Sequence, residues 1–595
     1  MNTLKNVLGD VVPLLRWGGD YRLEHARGDL TAGLTVGVML IPQGMAYAVL
    51  AGLPPIYGLF ASLAPLVAYP LFGTSRHLAV GVTAISMLIM GAGLGAVAEA
   101  GTAEYVTLAV LLAAMVGVVE IAMGAARLGF LANLISRPVI TGFATAAALI
   151  IAASQLGNLL GVEVGRSQQV HVMVAEAAAR LGNAHLPTLA VGGGSILAIV
   201  GLQRWKPIFP AELAVVAGGT VLAWALGLGG EGVELVGDIP AGLPAFGLPE
   251  LSTEDIGSLA STAVTLALVQ FMSVVSLGRV FATRHRYAID PNQELVAIGA
   301  SNVLGSLFQG LPVSGSWSRT TVNEQAGART ALANVFAAAL IGVALLFLTP
   351  LFHYVPMPTL GAIIIVAALG LIDPAEIRYL YLAKRTDGFV ALVTFATTLV
   401  VGIQEGILVG IGVATLTVLY RISRPHVAEL GHLQATRSFK NLERFAKAEP
   451  VEGLLILRVE AGFSFFNAKF LRDFILETSQ EEDRNVRAVV VDGMSINYLD
   501  TTAVESLEEI ANTLDEWDVE LHFAGLTGPI RDVVEDSGLG SWLGEDHFHI
   551  DPYHAVLHVL EKWDEEEGTD RAEDYREEVE KEEEEVQPTA ESPFT

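Results

Sequence analysis

Long apolar runs organise most of the chain. From Asp29 to about Ser423, apolar segments recur, separated by short polar turns. At roughly twenty residues each they can cross a hydrocarbon core about 30 Å thick. The pattern predicts about fourteen spans, near 29–51, 54–72, 83–98, 104–124, 129–157, 187–204, 209–228, 256–283, 289–309, 318–328, 331–351, 356–371, 387–402 and 403–422. After Arg424-Pro425-His426 the texture changes to alternating charged and apolar residues. There Val451–Val459, Val486–Val491 and Val519–Phe523 have strand character, and Lys469–Ser479 and Ala503–Asp515 carry helical spacing. Such alternation predicts a small sheet with helices packed on it.

Basic residues orient the spans, because Lys and Arg concentrate in cytoplasmic loops. With Lys5, Arg16, Arg22 and Arg27 inside, the inner loops carry Arg76, Arg127, Arg204 with Lys206, Arg284 with Arg286, Arg378 with Lys384 and Arg385, and Arg421 with Arg424. Outer loops at 99–103, 229–255 and 310–316 carry none, whereas 158–186 departs from the rule with Arg166 and Arg180. An even number of spans with both termini cytoplasmic follows. Four regions result: an N-terminal segment (1–28), a transport domain (29–424), a soluble domain (427–562) and a tail (563–595).

Composition agrees with lipid as the main solvent: 52% of residues are hydrophobic, only 17% are charged, and mean hydropathy is +0.50. Sixty-one glycines suit close helix approach. With no cysteine there is no disulfide, thiol nucleophile or thiolate metal site. The net charge of −29 is uneven: residues 563–595 hold fifteen Asp/Glu against three Lys/Arg. That tail is too polar to bury a core and is expected to be disordered or a solvated helix. The moderately acidic remainder argues against a nucleic-acid partner.

Two stretches are unsuited to lipid, 73–86 and 312–321. Each places a polar, Gly-bearing segment before a short apolar run, and the second contains Arg319. A charge inside a bundle usually faces a cavity or a partner. Half-helices beginning near mid-membrane point free N–H groups and positive dipole ends inward. Two such ends and one guanidinium make an anion site. The stretches fall in the third and tenth spans, corresponding places of two seven-span halves. The alternative is a pair of turns with Arg319 snorkelling to an interface.

Several motifs in order carry a family resemblance: PQGMAYA (42–48), AGLPPIYGLFAS (51–62), FGTSRHLAVGVTAIS (72–86), AIDPNQELVAIGASNVLGS (288–306) and AGARTALAN (326–334). They resemble the sulfate permease (SulP) family, related to animal anion exchangers and prestin. The soluble part resembles a STAS domain, similar to anti-sigma-factor antagonists, with Asn497-Tyr498-Leu499-Asp500-Thr501-Thr502 at its signature turn. The resemblance implies a polytopic α-helical membrane protein of about fourteen segments in a seven-plus-seven inverted repeat. A core domain (spans 1–4 and 8–11) would shuttle against a gate domain (5–7 and 12–14) as an elevator. A C-terminal α/β STAS domain would follow. It further implies a homodimer in the cell (inner) membrane, carrying a small anion and open to a cytoplasmic regulatory protein at the STAS domain.

The family's site, transferred to matching positions, comprises Gln43 and Tyr47 on the first span, Thr83 and Ala84 at the third, and Ser316, Ser318 and Arg319 at the tenth. Gln43 donates to an oxyanion, Tyr47 forms a wall, and Arg319 supplies positive potential rather than a bidentate bond. Many bacterial and plant members carry a carboxylate on the eighth span for a coupling cation; the matching position here is Ser273, with no acid from Val269 to Ser276. Exchange or uncoupled transport of sulfate, bicarbonate, chloride or dicarboxylates is therefore expected over proton or sodium symport; the alternative is coupling through another group, for example Glu405 in the break between the last two spans. An anion channel and a membrane-anchored STAS signalling protein are the other readings. Thr501 and Thr502 sit where related soluble proteins carry a phosphorylatable serine, although capping of the next helix is the commoner role. The scattered histidines show no paired metal spacing, and His547 and His549 read as a surface feature. No phosphate-binding loop or dinucleotide fingerprint occurs, so neither ATP-driven transport nor a cofactor is indicated.

Overall fold

The computed structural model describes residues 12–133, 136–164, 169–206, 209–249, 252–433, 436–481 and 484–585. Lys5, Arg166 and the end of the tail from 586 lie outside the described residues. The chain divides into two compact units, residues 1–415 and 416–595.

Apolar sequence becomes helix in the first unit because a helix satisfies every backbone group internally. In chain order the predicted spans appear as α1 (Leu23–Leu50), α2 (Ile56–Phe72, interrupted near Ala61), α3 (Ala84–Gly95), α4 (Ala103–Ala125), α5 (Arg137–Ser154), α6 (Leu186–Trp205) and α7 (Ala211–Leu226). The second half supplies α8 (Thr253–Arg284), α9 (Pro291–Ser306), α10 (Trp317–Gln325), α11 (Ala333–Phe347), α12 (Met357–Leu369), α13 (Arg385–Val400) and α14 (Ile403–Ser423). Long α1 and α8 open the halves, and short α3 and α10 hold the third place in each. α1–α4 pack with α8–α11, while α5–α7 pack with α12 and α13, and α14 joins them at Val139 and Val390; α1 also meets the second group through α7 and α12, and α3 through α5 and α12.

Two short strands join the halves: β1 (Val80–Gly81) pairs antiparallel with β2 (Ser314–Gly315), Val80 opposite Gly315 and Gly81 opposite Ser314. α3 and α10 each begin just after one of these strands, so their first turns start beside one junction. Side chains from other helices complete the ladder. Asn334 Oδ1 accepts from Val80 N (3.1 Å), Thr320 Oγ1 from Ala79 N (3.1 Å) and Asn302 Oδ1 from Val313 N (2.7 Å). Non-helical backbone at this depth is tolerated because protein satisfies it.

Two carboxylates anchor the flanking loops. Glu294, fully buried, accepts from Thr74 N, Ser75 N and Tyr69 Oη; Asp29, also fully buried, accepts from Arg329 N and Thr330 N.

The second unit is a sheet of β3 (Val427–Leu433), β4 (Phe439–Asn441), β5 (Ala448–Glu449), β6 (Leu454–Val459), β7 (Ala488–Asp492), β8 (Glu520–Ala524) and β9 (Phe548–His549). Its order is β4-β3-β6-β7-β8-β9, parallel from β6 to β9, with β5 beside β3. Both faces of β6 are apolar, and each has a purpose. Leu455, Leu457 and Val459 pack toward α15 (Ala468–Ser479), α16 (Thr501–Asp515) and α17 (Gly528–Asp536). Leu454 and Ile456 face α18 (Pro552–Glu567) and α19 (Arg571–Glu585).

Disorder is not what the tail shows up to Glu585. Trp563 and Ala572 are buried and Val579 is fully buried, in the cluster under the sheet. Three apolar positions spaced nine and seven residues apart suffice to seat the chain, and Glu573, Asp574 and Glu577 between them are exposed.

Candidate anion-binding site

Thr83 is the N-cap of α3: its backbone is extended, and its Oγ1 lies 3.4 Å from Ser86 N and donates to Ser86 Oγ at 2.9 Å. Its hydroxyl is thus engaged with Ser86. The N–H groups of Ala84 and Ile85 remain, as the first turn of a helix has no intrahelical acceptors for them. Ser316 occupies the N-cap position of α10, yet its side chain caps nothing; its Oγ lies 3.3 Å from Ser318 Oγ. Ser318 is exposed and Ser316 half-buried, so both hydroxyls stand at the mouth of α10.

Arg319 does not snorkel. It is fully buried, with Nη1 donating to Gln43 Oε1 (3.2 Å) and Nη2 to Val82 O (2.9 Å). Its Nε has no partner. Because Gln43 Oε1 is taken by Arg319, the Gln43 amide nitrogen is the end left to donate. Tyr47, one turn along α1, is buried beside it. The close fit requires Gly81, at φ +152°, where a Cβ would stand 3.2 Å from Arg319 Nη2 and 3.1 Å from Leu40. Gln43, Thr83, Ala84, Ser316, Ser318 and Arg319 thus gather around the β1–β2 junction. The Ser273 Oγ donates to Val269 O at 2.9 Å, within its own helix.

A titratable group stands near that part of α8, on another helix. Glu120 on α4 is fully buried and accepts from Asn302 Nδ2 at 2.8 Å. Asn302 also touches Gln270, three residues before Ser273. An acid within the apolar run VGVVEIAMG was a legible signal; its partners on α8 and α9 were not.

In the soluble unit, Asp500 caps α16 by accepting from Ala503 N (2.9 Å) and also accepts from Phe465 N (3.0 Å). The capping role offered for Thr501 and Thr502 is therefore corrected; both are exposed on the first turn. His547 and His549 are more than a surface feature. His522, fully covered between β7 and β9, stacks on His547 (4.7 Å) and lies 3.2 Å from His549 Nε2. Burial, then the neighbouring His522, pushes His549 down to about 4, and burial likewise lowers His522. Hydrogen bonding from His522, then Lys562, draws Glu520 down to about 2. Among the described residues no three such groups are arranged to hold a metal ion.

Comparison with known proteins agrees with this architecture. Residues 26–394 match the model of the sulfate permease family, and 446–553 that of the STAS domain. Sulfate transporter 4.1, chloroplastic, of Arabidopsis thaliana is 34% identical over 570 residues, covering 92% of this chain and 82% of its own. A probable sulfate transporter of Mycobacterium tuberculosis is 35% identical over 531 residues, covering 89% and 95%. In fold, the murine Solute Carrier 26 family member A9 anion transporter, inward-facing, superposes with TM-score 0.85 at 23% identity, covering 92% of this chain and 94% of that one. The transmembrane domain of a cyanobacterium bicarbonate transporter, BicA, gives 0.57 at 24%, covering 66% and 98%. With helices, paired half-helix starts and sheet all in place, the chain belongs to the sulfate permease family: a multi-pass membrane transporter with a C-terminal STAS domain.

Proposed function

We propose that the protein is a secondary transporter of small anions that binds its substrate between the N-termini of α3 and α10. The observation that carries this is Arg319: a fully buried guanidinium without a carboxylate partner among the described residues, its Nε unpaired, beside two helix starts. An anion supplies the missing charge and accepts from the Gln43 amide, the first-turn N–H groups and the serine hydroxyls. Binding through dipoles and single hydrogen bonds, rather than a bidentate clamp, leaves release easy. The relatives named as sulfate transporters favour sulfate, and the BicA fold keeps bicarbonate in the set.

The grouping of α1–α4 with α8–α11 against α5–α7 with α12–α14 favours an elevator movement of the first group, with the site carried on it. We further read the protein as a homodimer of the cell membrane, both termini cytoplasmic, with the STAS domain as scaffold or regulatory platform. Domain limits of 29–424 and 427–562 suit this reading. Ser273 brings no acid to α8, which by itself favours exchange or uncoupled transport. One observation favours proton symport instead, the carboxylate of Glu120.

The test is labelled-sulfate uptake into proteoliposomes, competed by bicarbonate, chloride, nitrate and a dicarboxylate. Saturable uptake that one or more of these anions inhibits supports the reading. Uptake indistinguishable from empty vesicles for every anion overturns it.

A further inference from the structure

α4, α8 and α9 enclose a buried polar network behind the anion site. Glu120, Gln270 and Asn302 are each fully buried. Asn302 Nδ2 donates to Glu120 Oε2 at 2.8 Å. The Gln270 amide has two ends in different surroundings. The inner end lies 2.9 Å from Val313 O, 3.0 Å from Asn302 Nδ2 and 3.2 Å from Glu120 Oε1. The outer end lies 3.4 Å from Ser86 Oγ, which receives the Thr83 hydroxyl at the mouth of α3.

The two protonation states of Glu120 demand opposite settings of this amide. An ionised carboxylate only accepts, so the Gln270 nitrogen turns inward, donates to Glu120 and Val313 O at the loss of its bond from Asn302 Nδ2, and presents its oxygen to Ser86. A carboxylic acid donates, so the amide oxygen turns inward to receive that proton and the nitrogen donates to Ser86 Oγ. Ser86 then no longer spends its own proton on Gln270, and the Thr83–Ser86 hydroxyl pair can donate toward an anion at the helix start.

No other charge explains the carboxylate. Among the described residues no cation pairs with Glu120. On α9, Glu294 lies two turns away and is held by Tyr69, Thr74 and Ser75. Arg279 and Arg284 on α8 lie nine or more residues beyond Gln270, and Glu254 and Asp255 fifteen or more before it. α3 carries no titratable side chain, and on α4 itself Glu104 and Arg127 are sixteen and seven residues distant. Keeping an unpaired carboxylate in such a bundle is costly, and binding a proton removes that cost.

We propose that Glu120 is the binding site of a coupled proton, and that the Gln270 amide links its occupancy to anion affinity at the start of α3. The proposal rests on the anion-transport reading above and adds the coupling ion to it. By linkage the effect is reciprocal: the factor by which the proton tightens anion binding is the factor by which the anion tightens proton binding. A tenfold effect on affinity is a rise of about one pH unit in the midpoint of the acid.

Two measurements on the full-length protein decide it. In proteoliposomes clamped at zero voltage, an inward proton gradient is expected to raise wild-type sulfate uptake severalfold. Glu120→Gln, which keeps the shape of the protonated acid, is expected to abolish that response while sulfate counterflow persists. In detergent, infrared titration is expected to show a carboxylic-acid carbonyl band whose midpoint rises when sulfate is added. The band is expected to be absent from Glu120→Gln. In Gln270→Met, it is expected to persist but to ignore sulfate.

A gradient response of wild-type size in Glu120→Gln overturns the proposal, as does a band that Glu120→Gln retains. A midpoint that sulfate leaves unmoved in the wild type also overturns it. Absence of sulfate uptake under every condition would strike the transport reading itself, and the infrared titration, which needs no flux, would still decide whether Glu120 takes up the proton.

Discussion

Arg319 carries the largest burden of any single side chain. Its two Nη atoms are fixed by Gln43 and Val82, which orients the guanidinium for the anion proposed above. Arg319→Ala is expected to lower sulfate affinity at least about tenfold, since a charge-assisted contact in a desolvated site is worth more than a neutral one. Arg319→Lys keeps the charge but loses the fork, and should recover only part of it; competition binding in proteoliposomes reads both. Gly81→Ala places a methyl group against Arg319 Nη2 in a backbone conformation unfavourable to alanine. It should depress uptake while the purified protein keeps its elution volume in size-exclusion chromatography. Arg319 was legible from sequence as a charge among apolar segments. Its partners lie 276 and 237 residues away, and no spacing rule reports contacts of that range.

Among the elements, α4 and α9 show how glycine positions chemistry. A Cβ at Gly117 would lie 2.5 Å from Gly299 O, and one at Gly299 would lie 2.7 Å from Gly117 O. The two backbones touch there, and one turn further along each helix stand Glu120 and Asn302. Gly299→Val should force the helices apart, lowering the melting temperature by several degrees and weakening the Glu120–Asn302 bond. Fluorescence-detected thermal unfolding measures the first effect. In the soluble unit, the histidines on β8 and β9 make the sheet edge sensitive to acid. His549 sits at about 4 when folded and about 6.5 when unfolded, so folding favours its neutral ring. The stabilisation is complete above about pH 6.5 and is lost as pH falls toward 4. Amide exchange in β8 and β9 of the full-length protein, corrected for the intrinsic pH dependence, should accelerate at pH 5 relative to pH 7.5.

At the scale of the whole molecule, the absence of cysteine makes orientation directly testable. Arg378→Cys, in a basic loop, should react with an impermeant maleimide only after the membrane is opened; Glu231→Cys, in a loop without Lys or Arg, should react in intact cells. The reverse pattern would invert the proposed topology. Hydropathy specified the apolar helical spans and their order. These are properties of twenty-residue windows, and a bilayer imposes them locally. The apolar texture of β6 likewise identified a strand buried on both faces. What only the tertiary structure decided is which polar groups meet: Arg319 with Gln43, Glu120 with Asn302 and Gln270, the acidic tail with the sheet. Each of those meetings joins residues remote in the chain through packing of two or three elements, and burial sets its energetic weight. A linear pattern marks such residues as out of place in lipid; the folded bundle supplies the partners that give them a role.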